Sequence, residues 1–410
     1  MQFINSLEKA LIADMQLAHR LDRIEEPQTI KMAKLSRELK AKGLDIIDLS
    51  IGEPDFSTPD YIDEAAVLAM EQGYTKYPPV AGFLELRQAI CDKLLRDNNL
   101  HFTTDQIIVS TGAKQALANI VLSIINPGDE VIVPTPFWVT YSGLVRLAEG
   151  QPVFVKASID ADFKITAQQL EAAITERTRM FIFSSPCNPT GSVYSKDELA
   201  ALAEVFAKYP QVAVVSDEIY EYINFDGRHE SIAQFDAIKE QVIVVNGFSK
   251  GYAMTGWRLG YMAAPVALAK ACEKFQGQFT SGANSIAQRA AITALNGDQE
   301  PTRSMTQAFK DRRGFMMKAL TDMPGVRVSE PKGAFYMFPN ISSFFGKRDG
   351  ETLIETDEDM SMYLLHTAQI STVNGGAFGN DQCIRISFAT SMEALEEAMK
   401  RMKLALAKLQ

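Results

Sequence analysis

The residues with the clearest chemical potential in this sequence are a serine, a lysine and an arginine in one glycine-rich loop. Ser249 and Lys250 directly follow a predicted buried strand, and Arg258 comes eight residues after the lysine. A lone lysine is usually a solvated surface charge. A lysine beside a hydroxyl and near an arginine, directly after a buried strand, is instead a candidate nucleophile with a cationic site for a small anion.

Two further loops follow predicted strands and carry a carboxylate and an amide. Asp217 and Tyr220 come at the end of one strand, and Asn188 lies in the loop of residues 185–191 after another. A carboxylate just past a buried strand is costly to desolvate unless it meets a cation. Each feature has a plain structural alternative, since Asp217 could be a helix N-cap and residues 185–191 a simple proline-glycine turn.

These loops are positioned by an alternation of strands and helices. Continuous apolar runs at residues 180–184, 212–216 and 242–246 predict parallel strands that are buried on both faces. The helical periodicity between them predicts an α/β sheet domain over residues 61–300, and the pattern beyond residue 300 predicts a smaller α+β domain. Because ligands of such sheets lie at the carboxyl ends of the strands, we expect the three loops to converge.

One ligand would use all three loops. Pyridoxal 5′-phosphate needs a lysine amine for a Schiff base, an acid for its ring nitrogen, a cationic phosphate site and donors for its ring oxygen. The residues that would meet these needs in turn are Lys250, Asp217, Ser249 with Arg258, and Asn188 with Tyr220. A strand-to-helix turn at residues 110–115 would add free backbone N–H groups for the phosphate.

Composition excludes several other classes of function. The 410 residues are 46% hydrophobic and carry a net charge of −10, which excludes a mainly disordered chain and makes binding of nucleic acid by bulk charge unlikely. No apolar run approaches the roughly 18 residues of a membrane helix. The four cysteines and four histidines are scattered, so we expect no metal site and a reduced, cytoplasmic protein.

Taken together and in this order, the motifs resemble those of fold-type I, class I aminotransferases, in particular bacterial aspartate aminotransferases. The resemblance runs from residues 51–54 to residues 385–388 and therefore covers nearly the whole chain. It implies a large domain whose mainly parallel, seven-stranded sheet lies between helices. The implied division is an N-terminal arm at 1–30, a small substrate-closing domain at 31–60 and 301–410, and a large pyridoxal-phosphate-binding domain at 61–300.

The resemblance also implies a role for each matched residue. The implied catalytic residues are Lys250, Asp217 and Tyr220. The implied cofactor-binding residues are these three together with Gly112, Ala113, Lys114, Trp138, Asn188, Ser249, Arg258 and Tyr77. The implied substrate-binding residues are Gly52, Trp138, Asn188, Lys114 and Arg385. Tyr77 resembles the tyrosine that reaches the phosphate of a neighbouring subunit, which implies a homodimer with shared active sites.

The implied reaction is ping-pong transamination, with L-aspartate as the leading donor and 2-oxoglutarate as the leading acceptor. Lys114 resembles a lysine associated with the side-chain carboxylate of aspartate, whereas Glu25 and Glu26 replace a lysine-containing segment of that subgroup. If Glu25 and Glu26 cap the substrate, they would repel a dicarboxylate. If they are solvated, they would have no effect on substrate binding. Aromatic amino acids, methionine or kynurenine, and prephenate as an acceptor stay open as alternatives.

Other functions on the same or another fold remain as alternatives. A β-elimination C–S lyase would use the same Lys250 and Asp217. A non-catalytic pyridoxal-binding regulator would need a fused DNA-binding domain, and no helix-turn-helix or basic face is visible. A nicotinamide dehydrogenase is disfavoured because the glycine cluster at residues 375–379 lacks the strand–turn–helix context.

Two expectations concern local structure. Residues 1–18 show the pattern of a short amphipathic helix rather than a secretory signal, although Met15 could equally be the true start. The resemblance further implies a cis peptide bond between Asn188 and Pro189.

Overall fold

A computed structural model describes residues 17–410 of the chain. The amphipathic helix predicted at residues 1–18 falls almost entirely outside these residues, as does the question of Met15, and both stay predictions. Within the described part, no helix is long and apolar enough to cross a membrane. The Asn188–Pro189 bond is cis, as the resemblance implied.

The strands fall into one large sheet and several small ones. They are β1 (Ile47–Asp48), β2 (Ile107–Ser110), β3 (Glu130–Thr135), β4 (Gln151–Lys156), β5 (Thr178–Ser184), β6 (Ala213–Asp217), β7 (Val242–Gly247), β8 (Gly260–Ala263), β9 (Tyr336–Met337), β10 (Arg348–Asp349), β11 (Thr352–Leu353), β12 (Ile370–Ser371), β13 (Val373–Asn374) and β14 (Ile384–Ser387).

The helices alternate with the strands of the large sheet and then dominate the C-terminal part. They are α1 (Gln28–Ala41), α2 (Asp60–Glu71), α3 (Leu84–Asn98), α4 (Ala113–Ile124), α5 (Thr140–Leu147), α6 (Ala167–Ala173), α7 (Lys196–Phe206), α8 (Val266–Phe279), α9 (Ser285–Asn296), α10 (Glu300–Thr321), α11 (Asp357–Tyr363) and α12 (Met392–Leu406). Short 3₁₀ helices lie at His19–Arg23, Thr104–Gln106, Ile159–Ala161, Ile232–Gln234, Asp236–Ile238, Ser342–Phe344 and Gly375–Phe378, and a π-helix at Leu364–Ala368.

The large sheet has seven strands in the order β2-β8-β7-β6-β5-β3-β4. All neighbours are parallel except β8, which is antiparallel to both β2 and β7. The predicted α/β fold with a mainly parallel seven-stranded sheet is therefore confirmed. The central strands β5, β6 and β7 end together, so the loops that follow them meet at one edge.

The sheet is buried on both faces, which explains its continuous apolar strands. Successive residues of β6 and β7 enter different hydrophobic clusters: Val214 and Val244 pack on one face, and Val215 and Val245 on the other. Side chains of a strand alternate between faces, so a strand covered by helices on both sides needs apolar residues at every position.

A second body of structure forms from the C-terminal part and a short early segment. The antiparallel sheet β13-β14-β9 packs with helices α10 and α12 around a separate hydrophobic cluster that also includes Leu49. β1 pairs in parallel with β12, with Ile47 opposite Ile370. This pairing joins the segment after α1 to the C-terminal part of the chain. The boundaries at residues 31–60 and 301–410 stay predictions.

Several predicted elements differ in their extent. The strand expected at residues 45–50 is limited to Ile47–Asp48, and the helix expected at 137–148 begins only at Thr140. The sequence pattern did not indicate β4 or β8. β4 is an edge strand with alternating exposure, and β8 is only four residues long, so neither carries the continuous apolar run of a central strand.

Candidate active site

One cavity lies at the carboxyl ends of β5, β6 and β7, where the second body of structure faces the large sheet. Its walls combine the loops of the sheet with residues of α1, β9 and β14. The lining residues are Thr29, Gly52, Ala113, Lys114, Trp138, Tyr141, Ser184, Asn188, Asp217, Ile219, Tyr220, Ser249, Lys250, Thr255, Arg258, Tyr336 and Arg385.

Asp217 is the buried acid of the cavity. It is the last residue of β6 and is 2% exposed. The Tyr141 hydroxyl donates a hydrogen bond to its Oδ2 at 2.7 Å, and the Ile219 N–H donates to Oδ1 at 3.3 Å. Burial raises the pKa of Asp217 to about 6, because these two donors offset only part of the desolvation. A cation that entered the cavity would stabilise the ionised carboxylate.

Lys250 is the amine of the cavity, and it lies in the turn that follows β7. Its Nζ donates a hydrogen bond to the Gly52 carbonyl oxygen. Burial lowers the pKa of Lys250 to about 8; Glu53 raises it, and the cationic Arg385 and Arg258 lower it further. A larger fraction of this lysine is therefore unprotonated near neutral pH than of a surface lysine, as nucleophilic and general-base chemistry requires.

A cationic end of the cavity surrounds the N-terminus of α4. Gly112 precedes this helix with a positive φ of 81°, and a Cβ there would lie 2.6 Å from Arg258 Nη2. A Cβ on Gly260 of β8 would collide with the backbone nitrogen of Ala113, so glycine is required for β8 to approach the helix. Backbone N–H groups, the Arg258 guanidinium and the buried Ser249 hydroxyl together suit an anion such as phosphate.

Lys114 adds a second cation beside this end. Its Nζ lies 5.0 Å from the centroid of the Trp138 ring. Desolvation and the neighbouring Arg258 both lower the pKa of Lys114. Two cations held close together in a partly buried cavity favour the binding of an anion, since its charge relieves their repulsion.

Arg385 forms the opposite end of the cavity. This arginine on β14 is only 2% exposed. Its Nη1 donates to Asn188 Oδ1 at 3.1 Å and its Nη2 to the Ser50 carbonyl at 2.5 Å, while its buried Nε has no hydrogen-bond partner in the described part of the chain. Burial lowers its pKa. A buried guanidinium with an unsatisfied donor is suited to bind a carboxylate, whose two oxygens match its planar fork.

The structure thus brings together most of the predicted residues. The predicted residues that line the cavity are Lys250, Asp217, Tyr220, Ala113, Lys114, Trp138, Asn188, Ser249, Arg258, Gly52 and Arg385. Gly112 lies directly behind the lining, against Arg258. Tyr77 is outside the lining and 96% exposed in the single chain, and Glu25 and Glu26 are exposed as well.

Other cavity residues were missed by the sequence reasoning. Among them, Tyr141 and Tyr336 form side-chain hydrogen bonds with predicted catalytic residues, Tyr141 with Asp217 and Tyr336 with Tyr220. A tyrosine within a helix or a short strand has the same appearance as a core aromatic, so no local signal marked either one. Thr29 and Thr255 lay within segments already noted, but nothing in their spacing indicated that they line the cavity.

Comparison with known proteins matches nearly the whole chain to aminotransferases. The family model described as aminotransferase class I and II matches residues 44–402. The bifunctional aspartate aminotransferase and glutamate/aspartate-prephenate aminotransferase of Petunia hybrida is 44% identical, covering 98% of this chain and 85% of that protein. The aspartate/prephenate aminotransferase of Nitrosomonas europaea is also 44% identical, covering 94% and 98%. The crystal structure of the aspartate aminotransferase from Rhizobium meliloti superposes with a TM-score of 0.94 at 41% identity, covering 97% and 100%.

Proposed function

This chain belongs to the family of class I and II aminotransferases, and from that premise we propose that it transfers the amino group of L-aspartate to 2-oxoglutarate. The observation that carries the proposal is the convergence of Lys250, Asp217 and Arg385 in one cavity. This cavity offers an amine, a buried acid and a carboxylate site, with an anion site between the helix N-terminus and Arg258.

The cavity suits pyridoxal 5′-phosphate as the cofactor. Asp217 would keep the ring nitrogen protonated, since this buried carboxylate has few partners of its own and a protonated ring nitrogen would supply the cation that stabilises its ionised form. Asn188 and Tyr220 would donate to the ring oxygen, and Trp138 would stack on the ring. The groups that would hold the phosphate are the backbone of residues 112–114 and the side chains of Ser249 and Arg258. When bound, pyridoxal phosphate supplies an electron sink for the carbanion that forms at the substrate α-carbon.

The residues of the chain would divide the remaining work. Arg385 binds the α-carboxylate of the substrate and orients its α-carbon toward Lys250. The Lys250 amine, whose lowered pKa favours its neutral form, would take the proton from the substrate α-carbon and pass it to the cofactor carbon that carries the transferred nitrogen. Asp217 stays ionised opposite the ring nitrogen, so that negative charge from the α-carbon is withdrawn.

The donor side chain is the finer part of the proposal. Lys114 and Thr29 line the same cavity, and the Lys114 ammonium would pair with the second carboxylate of aspartate. Glu25 and Glu26 are exposed and outside the lining, which supports the solvated alternative for these two residues. A dicarboxylic donor is therefore compatible with this segment.

The active unit is proposed to be a homodimer in which Tyr77 reaches the phosphate site of the partner subunit. The support is the exposure of Tyr77 together with that of Val67, Leu68 and Met70 on α2, which are about half exposed. Burial of such apolar side chains against a second subunit would be favourable. The small domain of residues 31–60 and 301–410 would close over the substrate, since it carries Gly52 and Arg385. All four cysteines are unpaired, which supports a reduced, cytoplasmic setting.

The test is the visible spectrum of the purified protein loaded with pyridoxal phosphate, before and after addition of L-aspartate alone. We expect a yellow band that bleaches with aspartate, and a Lys250→Ala variant that folds normally but turns over at least about 10³-fold more slowly. A yellow band that L-aspartate does not bleach would indicate an aromatic or sulfur amino acid as the amino donor instead. Release of ammonia and pyruvate without a 2-oxo acid would indicate a C–S lyase, and absence of any band would overturn the proposal.

Prephenate is a second candidate acceptor. It is favoured by the relatives from Petunia hybrida and Nitrosomonas europaea, whose names include prephenate aminotransferase. The test is the rate of amino transfer from L-aspartate to prephenate, measured beside the rate to 2-oxoglutarate. A specificity constant for prephenate more than about 10³-fold below that for 2-oxoglutarate would remove this candidate.

A further inference from the structure

Tyr336 lies where the cofactor side and the substrate side of the cavity meet. It is the first residue of β9 and is fully buried. β9 pairs with β14, so that Tyr336 lies opposite Ser387, two residues from Arg385. This placement puts a phenol hydroxyl between the predicted substrate-binding arginine and the end of β6.

The hydroxyl of Tyr336 contacts the cofactor side. Its oxygen lies 2.7 Å from the hydroxyl oxygen of Tyr220, and both side chains are buried. The two rings meet edge to face, with centroids 5.9 Å apart, and Phe335 packs against both of them. The pair is therefore held rigidly, and each hydroxyl has the other as its protein partner.

The ring of Tyr336 contacts the substrate side. The Arg385 guanidinium carbon lies 4.6 Å from the centroid of this ring, in cation–π geometry. A Cβ on Gly52 would lie 2.7 Å from the Tyr336 hydroxyl oxygen but 3.7 Å from the adjacent ring carbon. The hydroxyl of Tyr336 therefore requires glycine at position 52, while the ring alone would tolerate alanine.

We propose that Tyr336 is a positioning residue that directs the Tyr220 hydroxyl toward the cofactor and fills the space beside Gly52. A phenol has one proton to donate. If Tyr220 gives its proton to the ring oxygen of pyridoxal phosphate, as the proposed function requires, then Tyr336 must be the donor in the pair. The order of donation is then from Tyr336 to Tyr220 to the ring oxygen, and a hydrogen bond received by Tyr220 strengthens the one it gives.

This order predicts a spectroscopic effect. A hydrogen bond from Tyr220 stabilises negative charge on the ring oxygen of bound pyridoxal phosphate. It therefore favours loss of the proton that this oxygen would share with the Lys250 nitrogen, and it lowers the pH at which the visible absorption changes. Tyr336→Phe keeps the ring over Arg385 and removes only the supporting donor. We expect the pH midpoint of the visible absorption change to rise by a few tenths of a unit. We also expect kcat to fall about 3- to 10-fold, with little change in the affinity for succinate, a dicarboxylate without an amine.

The matched control is Tyr363→Phe. Tyr363 is also a buried tyrosine of the same hydrophobic cluster, but its hydroxyl oxygen lies 2.9 Å from both Asp349 Oδ2 and the Ala405 carbonyl oxygen, away from the cavity. Both variants lose one buried hydroxyl, and both should lower the melting temperature of the cofactor-free protein. Only Tyr336→Phe should move the spectral midpoint. Equal midpoints in the two variants would overturn the proposal.

A second variant, Gly52→Ala, distinguishes a positioning role of the Tyr336 hydroxyl from a general loss of stability. Gly52→Ala should displace the Tyr336 hydroxyl and reproduce the raised midpoint, whereas in the Tyr336→Phe background the same substitution should not raise the midpoint further. Additive shifts of the midpoint in the double variant would contradict the assigned contact. If the wild-type protein forms no visible band, the proposed function itself fails, and the proposal for Tyr336 fails with it. A wild-type band with no midpoint shift in Tyr336→Phe overturns the Tyr336 proposal alone.

Discussion

Two adjacent carboxylates at the end of β6 have opposite environments. Asp217 and Glu218 are both fully buried, yet burial raises the pKa of Asp217 to about 6, whereas the pKa of Glu218 is held below its ordinary value. Asp217 faces the cavity, and among residues 17–410 its only side-chain donor is Tyr141. Glu218 points the other way, into a cluster of protein partners.

The partners of Glu218 outweigh the effect of burial on its pKa. Its Oε1 accepts hydrogen bonds from Ser216 at 2.9 Å and Ser231 at 2.6 Å, and its Oε2 lies 3.0 Å from His229 Nε2. Burial alone would raise the pKa of Glu218, but His229 and the two serines outweigh it. These contacts make Glu218 a structural group.

A second ion pair completes this cluster on the same side of β6. Glu221 forms an ion pair with the buried Lys93 and accepts a hydrogen bond from Asn98 at 3.3 Å. Possible metal-ligating atoms of Glu218, Glu221 and His229 lie within 4.8 Å of one another. The Lys93 ammonium already provides the cation for this acidic group, so the cluster is better explained as a buried ion network than as a metal site.

The comparison shows how a structural carboxylate differs from one that is available to a ligand. A buried charge whose partners all come from the protein stabilises the fold, and removing one partner leaves the other uncompensated. A buried charge with too few protein partners is destabilising by itself and becomes favourable when a ligand supplies the missing cation. Asp217 belongs to the second kind and Glu218 to the first.

Asp217→Asn is expected to give the largest effect and tests whether Asp217 is available to a ligand. We expect kcat to fall about 10²- to 10³-fold, because the charge opposite the ring nitrogen is lost. The cofactor-free variant should melt at the same or a higher temperature at pH 8, since the ionised Asp217 is buried at a cost there. Steady-state kinetics and thermal melting of the cofactor-free protein measure the two effects. A lower melting temperature without lost activity would contradict the assignment.

Glu218→Gln should show the opposite pattern. We expect a loss of about 2 kcal/mol in the free energy of unfolding, because His229 loses its buried anionic partner. The kcat of the folded, cofactor-loaded variant should stay within about threefold of wild type, since Glu218 does not line the cavity. Denaturant unfolding of the variant, of His229→Gln and of the double variant would show less than additive losses. Fully additive losses would mean that the pair is not coupled.

The pH dependence of the stability of His229→Gln tests the buried ion pair between His229 and Glu218. Burial lowers the pKa of His229, but Glu218 outweighs burial and raises it above its ordinary value of 6.5. The folded state thus holds this proton more tightly than the unfolded chain, so the stabilisation is complete below pH 6.5 and is lost as the pH rises through the folded-state pKa. The melting temperature of wild type should exceed that of the variant most at low pH within this window. A difference that grew with pH would refute this protonation.

The smallest expected effect is at Glu25 and Glu26. Replacing both with glutamine should change the KM for L-aspartate by less than about twofold, because exposed charges outside the cavity are screened by solvent and salt. Lys114→Ala is the matched control, since it removes a charge that lines the cavity and should raise this KM strongly. A large fall in KM on replacement of both glutamates would restore them as a substrate cap.

Much of the site was predictable because its chemistry is local in sequence. Lys250 and Arg258 share one loop, and Asp217 directly follows an apolar strand, so residue type and spacing were informative. The contacts of Tyr141 with Asp217 and of Tyr336 with Tyr220 join residues that are 76 and 116 positions apart. No local pattern encodes a contact of that separation between side chains that are also common in hydrophobic cores.

The difference between local and long-range information also explains why β4 and β8 were not predicted. The continuous apolar runs of β5, β6 and β7 predict buried parallel strands because both of their faces are covered. β4 has one strand neighbour and an alternating, half-exposed pattern, so its pairing with β3 is visible only in three dimensions. β8 runs antiparallel between two parallel strands, a direction that depends on the path of the preceding loop.

The sequence by itself therefore determined the α/β architecture, the family and most of the polar groups that meet in the cavity, because strand burial and loop composition are local properties of short segments. The tertiary structure alone decided which of two adjacent acids faces the cavity, which tyrosines contact the predicted catalytic residues, and which predicted residues stay outside. Those outcomes depend on desolvation and on partners from distant segments, and both arise only when the chain is packed.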